Sequence, residues 1–138
     1  MDASDYGSTE MQMLAWSIAL GLAQLLLATL LSVLQRGLPW GVGPRDEPSP
    51  PLGTMAARIE RAFKNYLETF VFFLGVVLMA QVLSKQTDIG ALGTQIYFWS
   101  RLAYVPAYAL GVPFLRTLLW VASLAGVVMV LASVWPGM

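Results

Sequence analysis

The stretch MQMLAWSIALGLAQLLLATLLSVL, residues 11–34, decides the class of this protein because it contains no charged side chain. A helix needs roughly 20 apolar residues to cross the hydrocarbon of a bilayer, and this stretch is long enough. A cleavable signal peptide would have a basic start and an apolar core of about 7–15 residues. The residues before this stretch instead include Asp2, Asp5 and Glu10. We therefore predict a retained transmembrane helix.

The composition of the whole chain also favours lipid as its environment. The 138 residues are 57% hydrophobic and 12% charged, with a mean hydropathy of +0.66, whereas soluble domains carry about 25% charged residues. The formal net charge is zero, so we expect no nucleic-acid partner. Cys and His are absent, which excludes disulfides and removes the commonest metal ligands, and we expect no metal site. Thiol or acid–base chemistry would depend on Arg, Tyr, Asn, Glu and a bound cosubstrate.

Three further apolar stretches follow the first one. We predict helices near residues 9–36, 54–84, 90–110 and 112–135, which make residues 1–138 a single four-span membrane domain. Residues 38–53 hold five Pro and three Gly, a density that excludes helix and predicts an irregular loop. The predicted fold class is all-α: an integral membrane four-helix bundle of up-down topology.

The distribution of Lys and Arg predicts the orientation of this bundle. One side receives a group of basic residues from the first loop, the start of the second helix and the last turn: Arg36, Arg45, Arg58, Arg61, Lys64 and Arg116. The other side receives Lys85 beside the acidic amino-terminal residues. By the positive-inside rule, the first loop then lies in the cytoplasm and both termini face away from it.

Several polar side chains fall where lipid would make them costly. Glu68 lies just before the apolar run of the second helix, and Arg101 lies near the middle of the third span. Each needs a partner or a wet cavity, and we predict that they form an ion pair. Helical spacing places the remaining polar residues on two faces that would converge near the cytoplasmic end: Arg58, Arg61, Asn65 and Glu68 on one helix, and Arg101, Tyr104 and Tyr108 on the next, with Arg116 after the turn.

Ordinary structural roles would also explain each of these residues. The arginines of the second helix are typical of topology anchors that extend to the interface. The tyrosines are typical of interfacial or packing aromatics, and a Glu68–Arg101 pair could serve only to fix helix register. Composition and spacing alone therefore indicate a polytopic bundle with a polar pocket, without naming a reaction.

Two segments resemble the MAPEG family, the membrane-associated proteins in eicosanoid and glutathione metabolism. The first is Arg61-Ala-Phe-Lys-Asn65-Tyr-Leu-Glu68-Thr69, similar to the family signature of Arg-Ala, then Asn, then Glu three residues later. The second is Arg101-Leu-Ala-Tyr104-Val-Pro-Ala-Tyr108, followed by Arg116-Thr117. The resemblance covers essentially the whole chain and is to a bacterial-type member. It implies homotrimers in a bacterial inner membrane, with glutathione as cosubstrate bound between subunits near the cytoplasmic face.

The resemblance also implies a function and roles for individual residues. The protein would be a membrane-embedded glutathione-dependent transferase or peroxidase that acts on lipophilic electrophiles. Arg116 and Tyr108 would be the catalytic residues that favour the thiolate, Arg116 as the cation and Tyr108, or alternatively Tyr104, as the hydrogen-bond donor. Arg61 would meet a glutathione carboxylate. Glu68 would bind the ammonium group. The cosubstrate site as a whole would be lined by Arg61, Asn65, Glu68, Tyr104 and Arg101.

Two other functions stay open. One is a non-catalytic relative in the same family that binds lipid or a protein partner. This sequence departs from the family pattern in having no Pro after Glu68 and in having Phe63 after Arg-Ala. The other is a small four-span multidrug exporter. Such exporters resemble one another in a carboxylate deep in the first span, and residues 11–34 contain none.

Overall fold

The computed structural model describes residues 8–48 and 50–137, and within them the chain is helical with no strand. The all-α prediction is thus confirmed. The elements in chain order are α1 (Thr9–Arg36), α2 (Leu38–Val42), α3 (Thr54–Val82), α4 (Asp88–Ala109) and α5 (Pro113–Val134). Helices α1, α3, α4 and α5 pack side by side, with α4 and α5 forming the closest pair.

The sequence shows why the long helices begin and end where they do. The Ser8 hydroxyl accepts a hydrogen bond from the Met11 N–H at 3.3 Å, and the Thr87 hydroxyl accepts one from Gly90 N–H at 2.9 Å. Both satisfy donors that the first turn of a helix leaves unpaired. Helix α1 ends at Gly37, whose φ of +90° suits glycine. Helix α5 begins at Pro113, where a missing N–H costs nothing.

Helix α2 corrects the prediction of an irregular loop over residues 38–53. Its five residues include Pro39, which lies in the first turn and so removes no intrahelical hydrogen bond. The short helix is held in place by Trp40, whose ring lies 5.2 Å from the Arg36 guanidinium carbon and 5.1 Å from that of Arg45. Arg45 also donates to the Gly41 carbonyl at 3.0 Å. The rest of the loop is irregular, as far as the structure describes it.

Three helices, α1, α3 and α5, are long and apolar enough to cross a membrane. Helix α4 spans 22 residues, which corresponds to about 33 Å at 1.5 Å per residue and would also cross the hydrocarbon. It does not reach the same hydropathy, and its buried residues include Arg101 and Thr94. Large apolar side chains such as Leu26, Val82 and Phe114 point outward, as expected for a protein dissolved in lipid. A fourth span through α4 stays a prediction.

Aromatic stacking between α3 and α4 and close backbone contact between α4 and α5 hold the bundle together. The rings of Phe73 and Tyr97 stack with centroids 4.0 Å apart between α3 and α4. Gly93 of α4 and Gly126 of α5 face each other so closely that a Cβ on Gly93 would lie 2.6 Å from the Gly126 carbonyl oxygen. Small residues of this kind let membrane helices pack through their backbones, which explains the tight α4–α5 pair.

The structure places Glu10 in the interior, whereas the sequence analysis counted it among the acidic residues before the first apolar stretch. Its side chain is 1% exposed, and neither carboxylate oxygen has a hydrogen-bond partner among the described residues. The carboxylate occupies the space that a Cβ on Gly90 would need, close to the Ser133 hydroxyl. Its burial depends on small residues at the start of α4 and the end of α5.

Candidate functional site

The polar residues of α3 lie beside its buried face. The buried positions near the start of the helix are Ile59, Ala62, Tyr66 and Thr69. Arg58, Arg61, Asn65 and Glu68 each precede one of these by one residue, which rotates them by about 100°. They therefore form a flank at the edge of the bundle. Arg58 and Asn65 are half-buried there, whereas Arg61 and Glu68 are exposed.

Tyr108 of α4 lies against two arginines from neighbouring helices. Its hydroxyl accepts a hydrogen bond from Arg61 Nε at 3.1 Å. The guanidinium carbon of Arg116 lies 4.8 Å from the centre of its ring, and that of Arg61 lies 5.9 Å away. The short turn after α4 makes this possible, because it returns the chain so that α5 begins beside the end of α4. The structure thus brings together Arg61, Tyr108 and Arg116.

Arg101 continues this arrangement into the bundle. Its guanidinium carbon lies 4.1 Å from the centre of the Tyr104 ring, and the rings of Tyr104 and Tyr108 are 5.6 Å apart. Arg101 is 1% exposed, and none of its three guanidinium nitrogens has a hydrogen-bond partner within residues 8–48 and 50–137. We refer to Arg61, Arg101, Tyr104, Tyr108 and Arg116 as the arginine–tyrosine cluster.

The predicted ion pair between Glu68 and Arg101 is wrong. In the described part of the chain, the ion pairs join Glu60 to Arg36 at 3.7 Å and to Lys64 at 3.3 Å. The reason is the rotation of α3: Glu68 lies one residue before the inward-facing Thr69 and is exposed, while Arg101 is enclosed by aromatic rings.

Asn65 and Arg58 have different surroundings on the same flank. The Asn65 Oδ1 atom is buried and lacks a hydrogen-bond partner in the residues that the structure describes. Arg58 instead donates to the Ala109 carbonyl at 3.3 Å and packs against Gly111 in the turn after α4. Arg58 therefore holds the end of α4, which positions Tyr108 without touching it.

Sequence reasoning missed Tyr66, which lies on the interior side of the cluster. Its ring lies 5.5 Å from the Arg101 guanidinium carbon, and its hydroxyl donates to the Ser17 carbonyl of α1. Tyr66 also contacts Tyr97, whose hydroxyl lies 3.1 Å from Thr69 Oγ1. Tyr66 and Thr69 lie three residues apart on the inward face of α3, and this spacing would have predicted that Tyr66 faces the interior of the bundle.

The cluster concentrates cations around aromatic hydroxyl groups at one end of the bundle. Arg61 is exposed, Arg116 and Tyr108 are half-buried, and Arg101 and Tyr104 are buried, so the cluster extends from the surface to the interior. Guanidinium groups bind carboxylates in bidentate fashion, and a cation close to a thiol favours the thiolate. The arrangement can therefore bind an anionic ligand, and it would favour the thiolate form of any thiol placed beside it.

Comparison with known proteins shows the family of this chain. A comparison with curated proteins finds no significant match. A family model described as MAPEG family matches residues 13–135, a range that begins in α1, ends just after α5 and includes every residue of the arginine–tyrosine cluster. The match covers most of the chain, and the protein therefore belongs to the MAPEG family.

Proposed function

We propose that this protein is a glutathione-dependent transferase or peroxidase that acts on lipophilic electrophiles within the membrane. The observation that carries the proposal is Tyr108, which contacts Arg61 and Arg116 at the half-buried edge of the bundle. Membership in the MAPEG family supports the choice of glutathione as the cosubstrate. The cluster supplies the donors and the positive charge that this cosubstrate needs.

The charged groups of the site are complementary to those of glutathione. Glutathione carries two carboxylates, one ammonium group and a thiol. Arg61 is exposed and can form a bidentate contact with one carboxylate while keeping its Nε bond to Tyr108. Glu68 is exposed on the same flank and binds the ammonium group. Asn65 Oδ1, which is unpaired in the described structure, accepts an N–H of the peptide.

Thiol activation falls to Arg116 and Tyr108. A free thiol has a pKa of about 8.5, so it is mostly protonated at neutral pH. A guanidinium beside the sulfur stabilises the thiolate, and the Tyr108 hydroxyl donates a hydrogen bond to it. The thiol proton passes to solvent, since the cluster reaches the surface. The thiolate then attacks an electrophilic carbon and expels its leaving group, or attacks the terminal oxygen of a hydroperoxide. In the second case the O–O bond breaks, the sulfur becomes a sulfenic acid, and the departing alkoxide takes a proton from solvent to give the alcohol. A second glutathione then reduces the sulfenic acid, which yields glutathione disulfide and water.

The second substrate reaches the site from the bilayer. The helices expose large apolar side chains, including Phe114 and Leu118 beside Arg116 on α5. A lipophilic electrophile can approach along these surfaces without crossing water. In this proposal the first loop lies in the cytoplasm, where glutathione is abundant, and the chain assembles as a homotrimer.

A binding and turnover experiment tests this function. The purified protein in lipid nanodiscs is titrated with glutathione and with S-methylglutathione, and turnover is followed with 1-chloro-2,4-dinitrobenzene and with an organic hydroperoxide. We expect glutathione binding and at least one of the two activities. Arg61→Leu should weaken binding by about tenfold or more, the value of one charge-assisted contact.

Lys64→Leu is the matched control, because it removes one positive charge from the same part of α3. Lys64 is exposed and pairs with Glu60 rather than with the cluster, so its loss should leave glutathione binding within about twofold. Equal losses in the two variants would mean that general charge, not the cluster, attracts glutathione. Absence of binding and of turnover at millimolar glutathione would favour a non-catalytic relative that binds lipid or a protein partner.

A further inference from the structure

The turn between α4 and α5 determines how Arg116 lies relative to Tyr108. The Gly111 N–H donates to the Tyr108 carbonyl at 3.0 Å, and the Arg116 N–H donates to the Val112 carbonyl at 3.1 Å. The backbone of each of these two cluster residues is therefore bonded directly to the turn. Gly111 adopts a φ of +74°, which glycine reaches without strain. A change in this turn would move Arg116 away from its place beside Tyr108.

One carbonyl group of this turn receives its donor from α3. Backbone bonds within the turn satisfy the carbonyl groups of Ala107 and Tyr108, as in the common helix end that glycine terminates. The Ala109 carbonyl is left over, because Pro113, four residues later, has no N–H. Arg58 Nη1 donates to this carbonyl at 3.3 Å. Arg58 thus supplies a donor that the backbone bonds of the turn do not provide.

The Arg58 guanidinium also packs against the glycine of the turn. A Cβ on Gly111 would lie 2.9 Å from Nη1 of Arg58 and 3.0 Å from its guanidinium carbon and Nη2. The planar group therefore covers the turn at the place where the chain reverses. Within the described residues, the guanidinium groups that lie over the Tyr108 ring are those of Arg61 and Arg116. Arg58 acts on the cluster through the turn.

Arg58 and Arg61 attach the end of α4 to α3 at two neighbouring points. They lie three residues apart and so on the same face of α3. Arg61 Nε donates to the Tyr108 hydroxyl, whereas Arg58 binds the backbone one residue further along α4. Helix α3 thereby fixes both the ring and the backbone. An arginine that served only as a topology anchor would extend its guanidinium into the interface instead.

We propose that Arg58 is a positioning residue, which holds the turn after α4 so that the Arg116 guanidinium carbon lies 4.8 Å from the centre of the Tyr108 ring. The inference rests on the proposed function in one respect, since the spacing matters for turnover only if both groups act on the glutathione sulfur. In this role Arg58 contacts neither substrate. Loss of its guanidinium frees the turn and weakens the effect of Arg116 on the thiol, while Arg61 still meets a carboxylate.

A measurement without glutathione tests the positioning directly. 3-Fluorotyrosine replaces Tyr108 through stop-codon suppression, and its fluorine resonance is recorded by NMR in nanodiscs. Arg116→Leu defines the shift that follows loss of a guanidinium from the ring. We expect Arg58→Leu to move the resonance in the same direction, because the turn no longer holds Arg116 in place. Arg58→Lys should move it less, since an ammonium group can donate to a carbonyl but lacks the planar face that packs on glycine.

The thiolate absorbance of bound glutathione supplies the second readout. Arg58→Leu should raise the midpoint for thiolate formation by about 1 unit, which is about tenfold less thiolate below the midpoint, and should lower kcat with little change in KM. A loss of stability alone would reduce the amount of active protein and leave the midpoint unchanged. Gly111→Ala should raise the midpoint too, because its Cβ meets the Arg58 guanidinium and alanine disfavours this φ. It replaces Arg58→Leu if that variant fails to fold.

Lys64→Leu is the control for both readouts, because it removes an exposed cation of α3 that pairs with Glu60, and it should move neither. Equal fluorine shifts in Lys64→Leu and Arg58→Leu would overturn the proposal, as would an unchanged resonance in Arg58→Leu. A moved resonance with an unchanged midpoint would overturn the connection to thiol activation. If the unsubstituted protein forms no glutathione thiolate, the proposed function fails, and the fluorine resonance still decides whether Arg58 holds the turn.

Discussion

Two buried ionisable side chains, Arg101 in the interior of α4 and Glu10 near the start of α1, have the same exposure but different surroundings. Each is 1% exposed, and neither the carboxyl oxygens of Glu10 nor the guanidinium nitrogens of Arg101 have a hydrogen-bond partner in the described residues. Arg101 stacks on Tyr104, which leads through Tyr108 to Arg116 and the surface. Glu10 is enclosed by Gly90 and Ser133, where the backbone of α4 leaves room for a carboxylate.

The difference indicates that burial and lack of a partner do not by themselves mark a functional charge. Continuity with groups that a ligand can reach is the additional requirement, and Arg101 meets it through the rings and cations of the cluster. Among the described residues, the Glu10 carboxyl group lies beside Gly90 and Ser133 and has no hydrogen-bond partner that would connect it to a ligand. We therefore assign Arg101 to the site and Glu10 to the fold.

The largest expected effect belongs to Arg116. Arg116→Leu should lower turnover by about 100-fold, because loss of a cation near the sulfur raises its pKa by about 1–3 units. Glutathione binding should fall less, since one carboxylate remains paired with Arg61. Steady-state kinetics with varied glutathione separate kcat from KM, and a change confined to KM would show that Arg116 binds glutathione without activating it.

A moderate effect on stability is expected at Gly90. Gly90→Ala places a Cβ against the Glu10 carboxylate and 3.1 Å from the Ser133 hydroxyl, which should lower the free energy of unfolding by about 1–3 kcal/mol. Glu10→Ala in the same chain should recover most of the loss. Chemical unfolding in detergent measures both changes. No recovery in the double variant would mean that the carboxylate is not what fills this space.

The smallest effect is the coupling between Glu68 and Arg101. Since the two side chains do not form an ion pair, the changes Glu68→Gln and Arg101→Leu should add within about 0.5 kcal/mol in a thermal double-mutant cycle. A coupling of several kcal/mol would show that the buried ion pair exists. Arg101 would then have a charged partner, and the contrast between Arg101 and Glu10 would no longer hold.

Sequence reasoning predicted the features that depend on local pattern. Apolar run lengths identify the long helices, and the spacing of Arg101, Tyr104 and Tyr108 identifies one helix face that the structure retains. The turn between Gly111 and Pro113 is short enough to place Arg116 beside Tyr108. These features survive because neighbouring helices joined by tight turns leave little freedom in how their ends meet.

The sequence pattern could not predict the features that depend on tertiary packing. The outward direction of Glu68 could not be predicted without knowing which face of α3 is buried. Because the buried face contains Thr69 and not Glu68, the Glu68 side chain is separated from Arg101. The burial of Glu10 requires that Gly90 and Ser133 lie opposite it, which is set by the packing of α4 against α5. Helix α2 is too short for a periodic pattern to reveal it.

The most direct measurement of the central claim is the ultraviolet absorbance of glutathione thiolate bound to the protein, followed against pH. We expect the midpoint for thiolate formation to lie well below the free-thiol value of about 8.5, to rise by about 1–3 units in Arg116→Leu, and to stay nearly unchanged in Arg61→Leu once glutathione is saturating. A midpoint at the free-thiol value in the unsubstituted protein, at saturating glutathione, would contradict the assignment of the arginine–tyrosine cluster as a thiol-activating site.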